Sequence, residues 1–128
     1  MALIVADSDV LIDALRGRPP GVARVRQALD AGVLSTTTIT LFELLSGARS
    51  EAESAPIDRL LGAMTLLPFD DVASRAAAAL RRTLAAQGRP IGMADYMIVG
   101  ICVARSAALL TRNRAHFEHV PGLALAPA

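Results

Sequence analysis

Leu3-Ile4-Val5-Ala6-Asp7-Ser8-Asp9 sets four apolar residues directly before a carboxylate, a hydroxyl and a second carboxylate. A short unbroken apolar run reads as a strand buried on both faces, the kind found inside a parallel sheet covered by helices. Beyond Asp9 the spacing becomes helical. Val10, Leu11, Ala14 and Leu15 return to one face, and Gly17 with Pro19-Pro20 ends the run. Asp7 therefore stands at a strand-to-helix junction, with Ser8 or Asp9 expected to cap the helix. In open α/β sheets ligands gather outside the carboxyl ends of the strands. The chemistry is expected around Asp7, whereas Asp13, inside the helix, is expected to face solvent or join a salt bridge.

The rest of the chain repeats the alternation. A helix over 22–31 stops at Gly32, and Val33 to Thr38 has the β-branched content of a second strand. Thr38 or Thr40 is expected to cap the next helix, in which Ile39, Leu41, Phe42, Leu44 and Leu45 are apolar around most of the circumference. Such a helix is expected to be buried, with Glu43 in its middle. A lone buried carboxylate costs several kcal/mol unless it is paired or metal-bound, so an arginine or a cation is expected at Glu43.

Glu51 to Ser54 reads as a surface turn and Ile57, Leu60 and Leu61 as a short helix. Thr65 to Phe69 reads as a third strand, which Pro68 places at an edge or at the strand's end. Asp70 and Asp71 are expected to cap a helix over 72–87. After the loop Arg89-Pro90-Ile91-Gly92, Asp95 falls inside the first turn of a nearly all-apolar helix. Ala108 to Thr111 reads as a fourth strand ending in the turn Arg112-Asn113-Arg114, and Leu123 to Leu125 as a short last one.

Strands alternating with helices predict an α/β chain with helices on both faces of a parallel sheet. Right-handed crossovers place the strands' carboxyl ends on one rim, which gathers Asp7, Thr38 and Thr111 there, with Glu43 and Asp95 on helices that start from it. Three carboxylates from distant parts of the chain converge in this reading.

The totals narrow the chemistry. A chain of 128 residues suits one domain, expected over 1–128, that buries roughly two-thirds of its unfolded surface. The single cysteine, Cys102, lies in an apolar helical pattern, which excludes an intramolecular disulfide and points to a core thiol in a reducing compartment. No apolar run is long enough for a membrane helix and the N-terminus lacks the features of a signal peptide, so the expected location is the cytoplasm. Net charge is +1, yet all 13 basic residues are arginine, whose planar fork suits phosphate.

Clustered carboxylates repel, and a cation relieves them. An all-oxygen donor set suits Mg²⁺ or Mn²⁺, and the scarcity of Cys and His disfavours zinc. Such a cation activates water and stabilises charge at phosphorus, so the residues point to a metal-dependent nuclease or phosphatase. Thr111 and Arg112 are candidate phosphate contacts, whereas His116 and His119, beside Phe117 in a terminal turn, are expected in surface or packing roles.

At these positions the chain resembles the PIN-domain ribonucleases, most closely the VapC toxins of toxin–antitoxin pairs. The matching pieces are Val5 to Asp13, Thr38 to Leu44, Ile91 to Asp95 with its apolar helix, and Leu110 to Asn113 followed by Phe117. The resemblance implies a three-layer α/β/α PIN-like domain with a central parallel sheet of four to five strands. It implies Mg²⁺- or Mn²⁺-dependent cleavage of RNA, a cognate antitoxin that inserts a segment near the acidic pocket, and a homodimer. Asp7, Glu43 and Asp95 fall on the family's acidic metal positions, and Ser8 on its small hydroxyl residue, a candidate substrate contact. Two departures stand out. Asp9 replaces the Asn common in the family, and the final turn lacks the usual fourth acid, leaving Asn113 as the candidate fourth oxygen ligand and Glu118 as an acid that could reach inward in its place.

Two other readings use the same residues. Asp7-Ser8-Asp9-Val10 also fits the opening of a haloacid-dehalogenase-type phosphatase, with Asp7 as nucleophile, Asp9 as acid/base and Asp70-Asp71, after a strand, as the late acidic pair. That reading leaves Glu43 and Asp95 idle, and the chain has no lysine for phosphate. A PIN-like module that binds RNA or a partner without cutting is the second.

Overall fold

Residues Ile4–Ala6 form strand β1, the middle member of a five-stranded sheet in the computed structural model, which describes residues 3–127. Along the chain follow α1 (Ser8–Arg16), α2 (Gly21–Asp30), β2 (Leu34–Thr37), α3 (Thr38–Gly47), α4 (Glu51–Gly62) and β3 (Thr65–Leu67). The second half contains α5 (Asp71–Ala86), α6 (Met93–Ala104), β4 (Ala108–Leu110), α7 (Arg114–Phe117) and β5 (Ala124–Leu125). Strand order is β3-β2-β1-β4-β5 and every pairing is parallel. Val5 stands opposite Ser35 and Leu109 in the register. The order reverses between β1 and β4, so the switch-point crevice lies where Asp7 and Thr111 follow their strands.

Successive residues of a strand point to opposite faces, and the core divides accordingly. Val5 and Leu109 pack with Ile98, Val99, Ile101 and Cys102 of α6 and with Leu80 and Leu84 of α5. Ala6 and Leu110 pack on the other face with Val10 and Leu11 of α1, Val25 of α2, and Ile57 and Leu61 of α4. The result is the expected three layers. Cys102 is fully buried, and burial, with a smaller push from Asp7, raises its thiol to about 12, which fits a core role. Gly100 lets α6 approach α5 closely. A Cβ there would lie 2.7 Å from the Ala73 carbonyl oxygen and from Ala77 Cβ.

β3 lies at the sheet's edge and ends at Leu67, just before Pro68 and two residues short of the expected Phe69, and Asp70 caps α5 by accepting from the Ala73 N–H at 3.0 Å. Three local expectations are corrected. Asp7 itself, rather than Ser8 or Asp9, is the N-cap of α1, because the strand ends one residue earlier. Thr37, rather than Thr38 or Thr40, caps α3, its hydroxyl accepting from the Thr40 N–H at 3.0 Å. Glu51 to Ser54 is the first turn of α4 rather than a turn on the surface. Ser50 accepts from the Glu53 N–H, and the Glu53 carboxylate accepts from the Arg49 N–H at 2.8 Å, a variant of the capping box.

The polar strand β2 is buried throughout, and its hydroxyls find partners on its neighbour: Ser35 donates to the Ile4 carbonyl at 2.9 Å and Thr36 to the Ala6 carbonyl at 2.8 Å. Helix α3 departs from expectation. Only Thr40 and Leu44 are buried, Phe42 is 70% exposed, and Glu43 is exposed as well. The helix stands at the sheet's carboxyl rim between α4 and α6, so Leu44 reaches the core while Phe42 and Leu45 have no layer to cover them.

Candidate active site

Asp7 leaves the end of β1 held by its neighbours: its backbone N–H donates to the Leu110 carbonyl at 2.9 Å, and its Oδ1 accepts from the Ser8 N–H at 2.8 Å. Thr111, next along from β4 and buried, places its hydroxyl 2.9 Å from Asp7 Oδ2 and 3.2 Å from Asp9 Oδ2. The Thr111 hydroxyl oxygen also accepts from the Asn113 N–H at 3.1 Å. Asp9 Oδ2 accepts in addition from the Arg112 N–H at 3.0 Å, while its Oδ1 is buried with no partner among the described residues. The first turn of α1 is thereby locked to the turn after β4, across the switch point.

Asp95 sits in the first turn of α6, as expected, and His116 Nε2 lies 3.0 Å from its Oδ2. The sequence reading assigned His116 a surface or packing role. Its ring does pack edge-on to Phe117, with centroids 4.7 Å apart, but its nitrogen reaches a site carboxylate. The signal was a histidine one residue before a buried aromatic in the turn where a fourth acid was sought. His119 makes no side-chain hydrogen bond among the described residues, and Glu118 is exposed.

The electrostatics tie the three candidates together. Burial first, then Asp9, and more weakly Asp95, raise the Asp7 carboxyl above its usual range, against the hydrogen bonds from Ser8 and Thr111. Glu43 is raised by partial desolvation and then by Asp7 and Asp95. Its expected buried setting is therefore replaced by an exposed one that still lies within the field of both aspartates. No arginine pairs with Glu43 among the described residues.

A divalent cation fits this donor set by chemistry, since Asp7, Glu43 and Asp95 offer hard oxygens, the Asp95 charge acts on both of the others, and no arginine pairs with any of the three among the described residues. Among the described residues no three acidic or histidine side chains already close into a cage.

The remaining candidates are distributed as follows. Ser8 is half-buried beside Asp7. Arg112 Nε lies 2.8 Å from Asp13 Oδ2, and Asp13 is 4% exposed, so the salt-bridging expectation for Asp13 holds and the solvent-facing one does not. Gly21 makes room for this pair, because a Cβ there would lie 2.5 Å from Asp13 Cβ. Asn113 is exposed and its side chain makes no capping bond. Asp70 pairs with Arg105 at 3.4 Å and Asp71 with Arg75 at 2.7 Å. Both are committed to the α5 terminus, which removes the late acidic pair of the phosphatase reading.

The family model of the PIN domain matches residues 4–123. The chain is 32% identical over 127 residues to the tRNA(fMet)-specific endonuclease VapC of Shigella flexneri, covering 96% of each. To ribonuclease VapC10 of Mycobacterium tuberculosis it is 32% identical over 115 residues, covering 90% of this chain and 86% of the relative. Among solved structures, DNA-bound VapBC from Salmonella typhimurium superposes with a TM-score of 0.86 at 28% identity, covering 98% of both chains. VapBC2 from Rickettsia felis, bound to a promoter DNA fragment, gives 0.87 at 21% identity, covering 97% of both, and bears on the fold alone. The doubly wound parallel sheet, the acidic switch-point crevice and these likenesses lead to one conclusion: the chain belongs to the PIN-domain family, within its VapC ribonuclease branch.

Proposed function

We propose that this chain is an endoribonuclease toxin that hydrolyses RNA phosphodiester bonds with Mg²⁺ or Mn²⁺ held by Asp7, Glu43 and Asp95, with Asn113 as a further oxygen donor. The observation that carries the reading is the position of Asp7 and Asp95 at the sheet's carboxyl rim, where the Thr111 hydroxyl locks Asp7 to the turn after β4 and His116 reaches Asp95 in the first turn of α6, with the Asp95 charge acting on both Asp7 and Glu43. Bound there, the cation supplies neutralisation of phosphate charge and activation of water.

The chain's own residues do the rest. The Ser8 N–H and the Thr111 hydroxyl fix Asp7. The half-buried Ser8 side chain, beside Asp7, is the proposed contact for a substrate oxygen. Arg112, anchored through Nε to Asp13 with its side chain half exposed, keeps terminal guanidinium nitrogens for a phosphate. Thr111 spends its single hydroxyl proton on the carboxylates, so its part in substrate binding is to hold Asp7 and Asp9 in place. Phosphate contacts of this kind set affinity and register without selecting sequence.

A toxin of this branch needs an antitoxin. An open cavity of about 570 Å³ runs beside Glu43, lined by Ile12, Leu15, Leu44, Ile57 and Arg16 among others. It is the proposed seat of the antitoxin segment. The exposed Phe42 and Leu45 of α3 suit the contact of a homodimer. No helix among the described residues is long and apolar enough to cross a membrane, and the proposed site of action is the cytoplasm.

The test is cleavage of a mixed RNA pool by wild type and Asp95→Asn, purified identically, in Mg²⁺, Mn²⁺ and EDTA. Cleavage that needs the metal and disappears in Asp95→Asn is expected. Equal cleavage by both proteins, or by neither, would overturn the reading; the second result would favour an RNA-binding module that does not cut.

A further inference from the structure

His116 does not belong to the acidic set, yet a continuous circuit of hydrogen bonds runs through it. Thr111 Oγ1 lies 2.9 Å from Asp7 Oδ2 and accepts from the Asn113 N–H at 3.1 Å. The Asn113 carbonyl accepts from the His116 N–H at 3.1 Å, and His116 Nε2 lies 3.0 Å from Asp95 Oδ2. The turn after β4 thus links the first carboxylate of the site to the last. An ionised carboxylate only accepts, so Nε2 carries the proton in this contact. The ring plane is set by the edge-to-face contact with Phe117, at an interplanar angle of 84°, and Phe117 is itself fixed by the core.

We propose that His116 is a positioning residue for Asp95. By donating Nε2–H to Oδ2 it fixes the carboxylate's rotation and leaves Oδ1, which carries no hydrogen bond among the described residues, for a cation. The turn that lacks a fourth acid supplies an N–H donor instead, and ties the Asp95 carboxylate through hydrogen bonds to the turn that Thr111 fixes on Asp7. Partners of this kind act on metal affinity through the ligand they orient, typically by 10–100-fold. The inference rests on the metal-site reading above.

The experiment is calorimetric titration of Mn²⁺ into wild type, His116→Ala and His116→Gln, with the thermal melting of each metal-free protein as a control of folding. Gln can place an amide N–H near the Nε2 position. His116→Ala is expected to bind Mn²⁺ about 10–100-fold more weakly, with His116→Gln recovering most of the loss. The metal-free proteins should melt within a few degrees of one another. The kcat for RNA should fall in the Ala variant while KM holds. Wild-type affinity in His116→Ala would overturn the positioning role, and so would equal loss in Ala and Gln, which would make the imidazole itself a ligand. Absence of Mn²⁺ binding by wild type would instead overturn the metal-site reading and this inference with it.

Discussion

Replacing Asp7 by Asn should stabilise the metal-free protein. Asp7 is 9% exposed, and burial with the charges of Asp9 and Asp95 outweighs its hydrogen bonds, so its carboxyl is raised above 3.8. Each unit of such a shift is about 1.4 kcal/mol against the ionised folded state. Asn keeps an oxygen for the Ser8 N–H. Its amide N–H can donate to Thr111 Oγ1, which frees the hydroxyl proton for Asp9. The expected outcome at pH 7.5 in EDTA is a more stable Asn variant, by on the order of 1 kcal/mol, the common scale of a single substitution, which is a few degrees in melting temperature for a chain of this length. The sign of the pH dependence follows. Below pH 3.8 Asp7 is protonated in both the folded and the unfolded chain, and the Asn variant has no advantage over wild type. As pH rises the unfolded carboxyl ionises first, wild type loses stability relative to the variant, and the gap is complete above the folded pKa. Urea unfolding of both proteins across pH 3 to 8 measures it. Asp7→Ala, which discards the cap, should fall below Asn by about 0.5–2 kcal/mol. An Asn variant less stable than wild type at pH 7.5 would falsify the premise that the carboxylate is under electrostatic strain.

Two other substitutions test the scaffold. Thr111→Val keeps the buried shape but strips a hydrogen bond from the Asp7–Asp9 pair and leaves the Asn113 N–H unpaired. It should cost about 2–3 kcal/mol, and a change under about 0.5 kcal/mol in urea unfolding would show that the turn is held by other contacts. Gly100→Ala should destabilise by about 1–3 kcal/mol despite the better helix propensity of Ala, because the new Cβ meets the Ala73 carbonyl oxygen and Ala77 Cβ at 2.7 Å. A melting temperature equal to or above that of wild type would mean that α5 and α6 can part at little cost.

Periodicity carried the order of elements. The apolar run Leu3 to Ala6, the helical spacing after Asp9 and the proline at position 68 contain the central strand, the first helix and the edge strand, because burial on two faces, on one face or at an edge each leaves its own spacing of apolar residues. The convergence of Asp7 and Asp95 followed from topology, since parallel strands with right-handed crossovers end on one rim. What local pattern could not contain was which apolar faces find a neighbour. Leu41, Phe42, Leu44 and Leu45 read as a buried helix, but α3 lies at the rim where no layer covers Phe42, and Glu43 consequently faces water. Nor could spacing anticipate that Thr111 would bridge Asp7 and Asp9 or that Arg112 would reach the buried Asp13, pairs separated by about a hundred residues. His116 is the same case: its type and position in the turn were visible in the chain, but its bond to Asp95 depends on the angle at which α7 meets α6, which is fixed by packing across the whole domain.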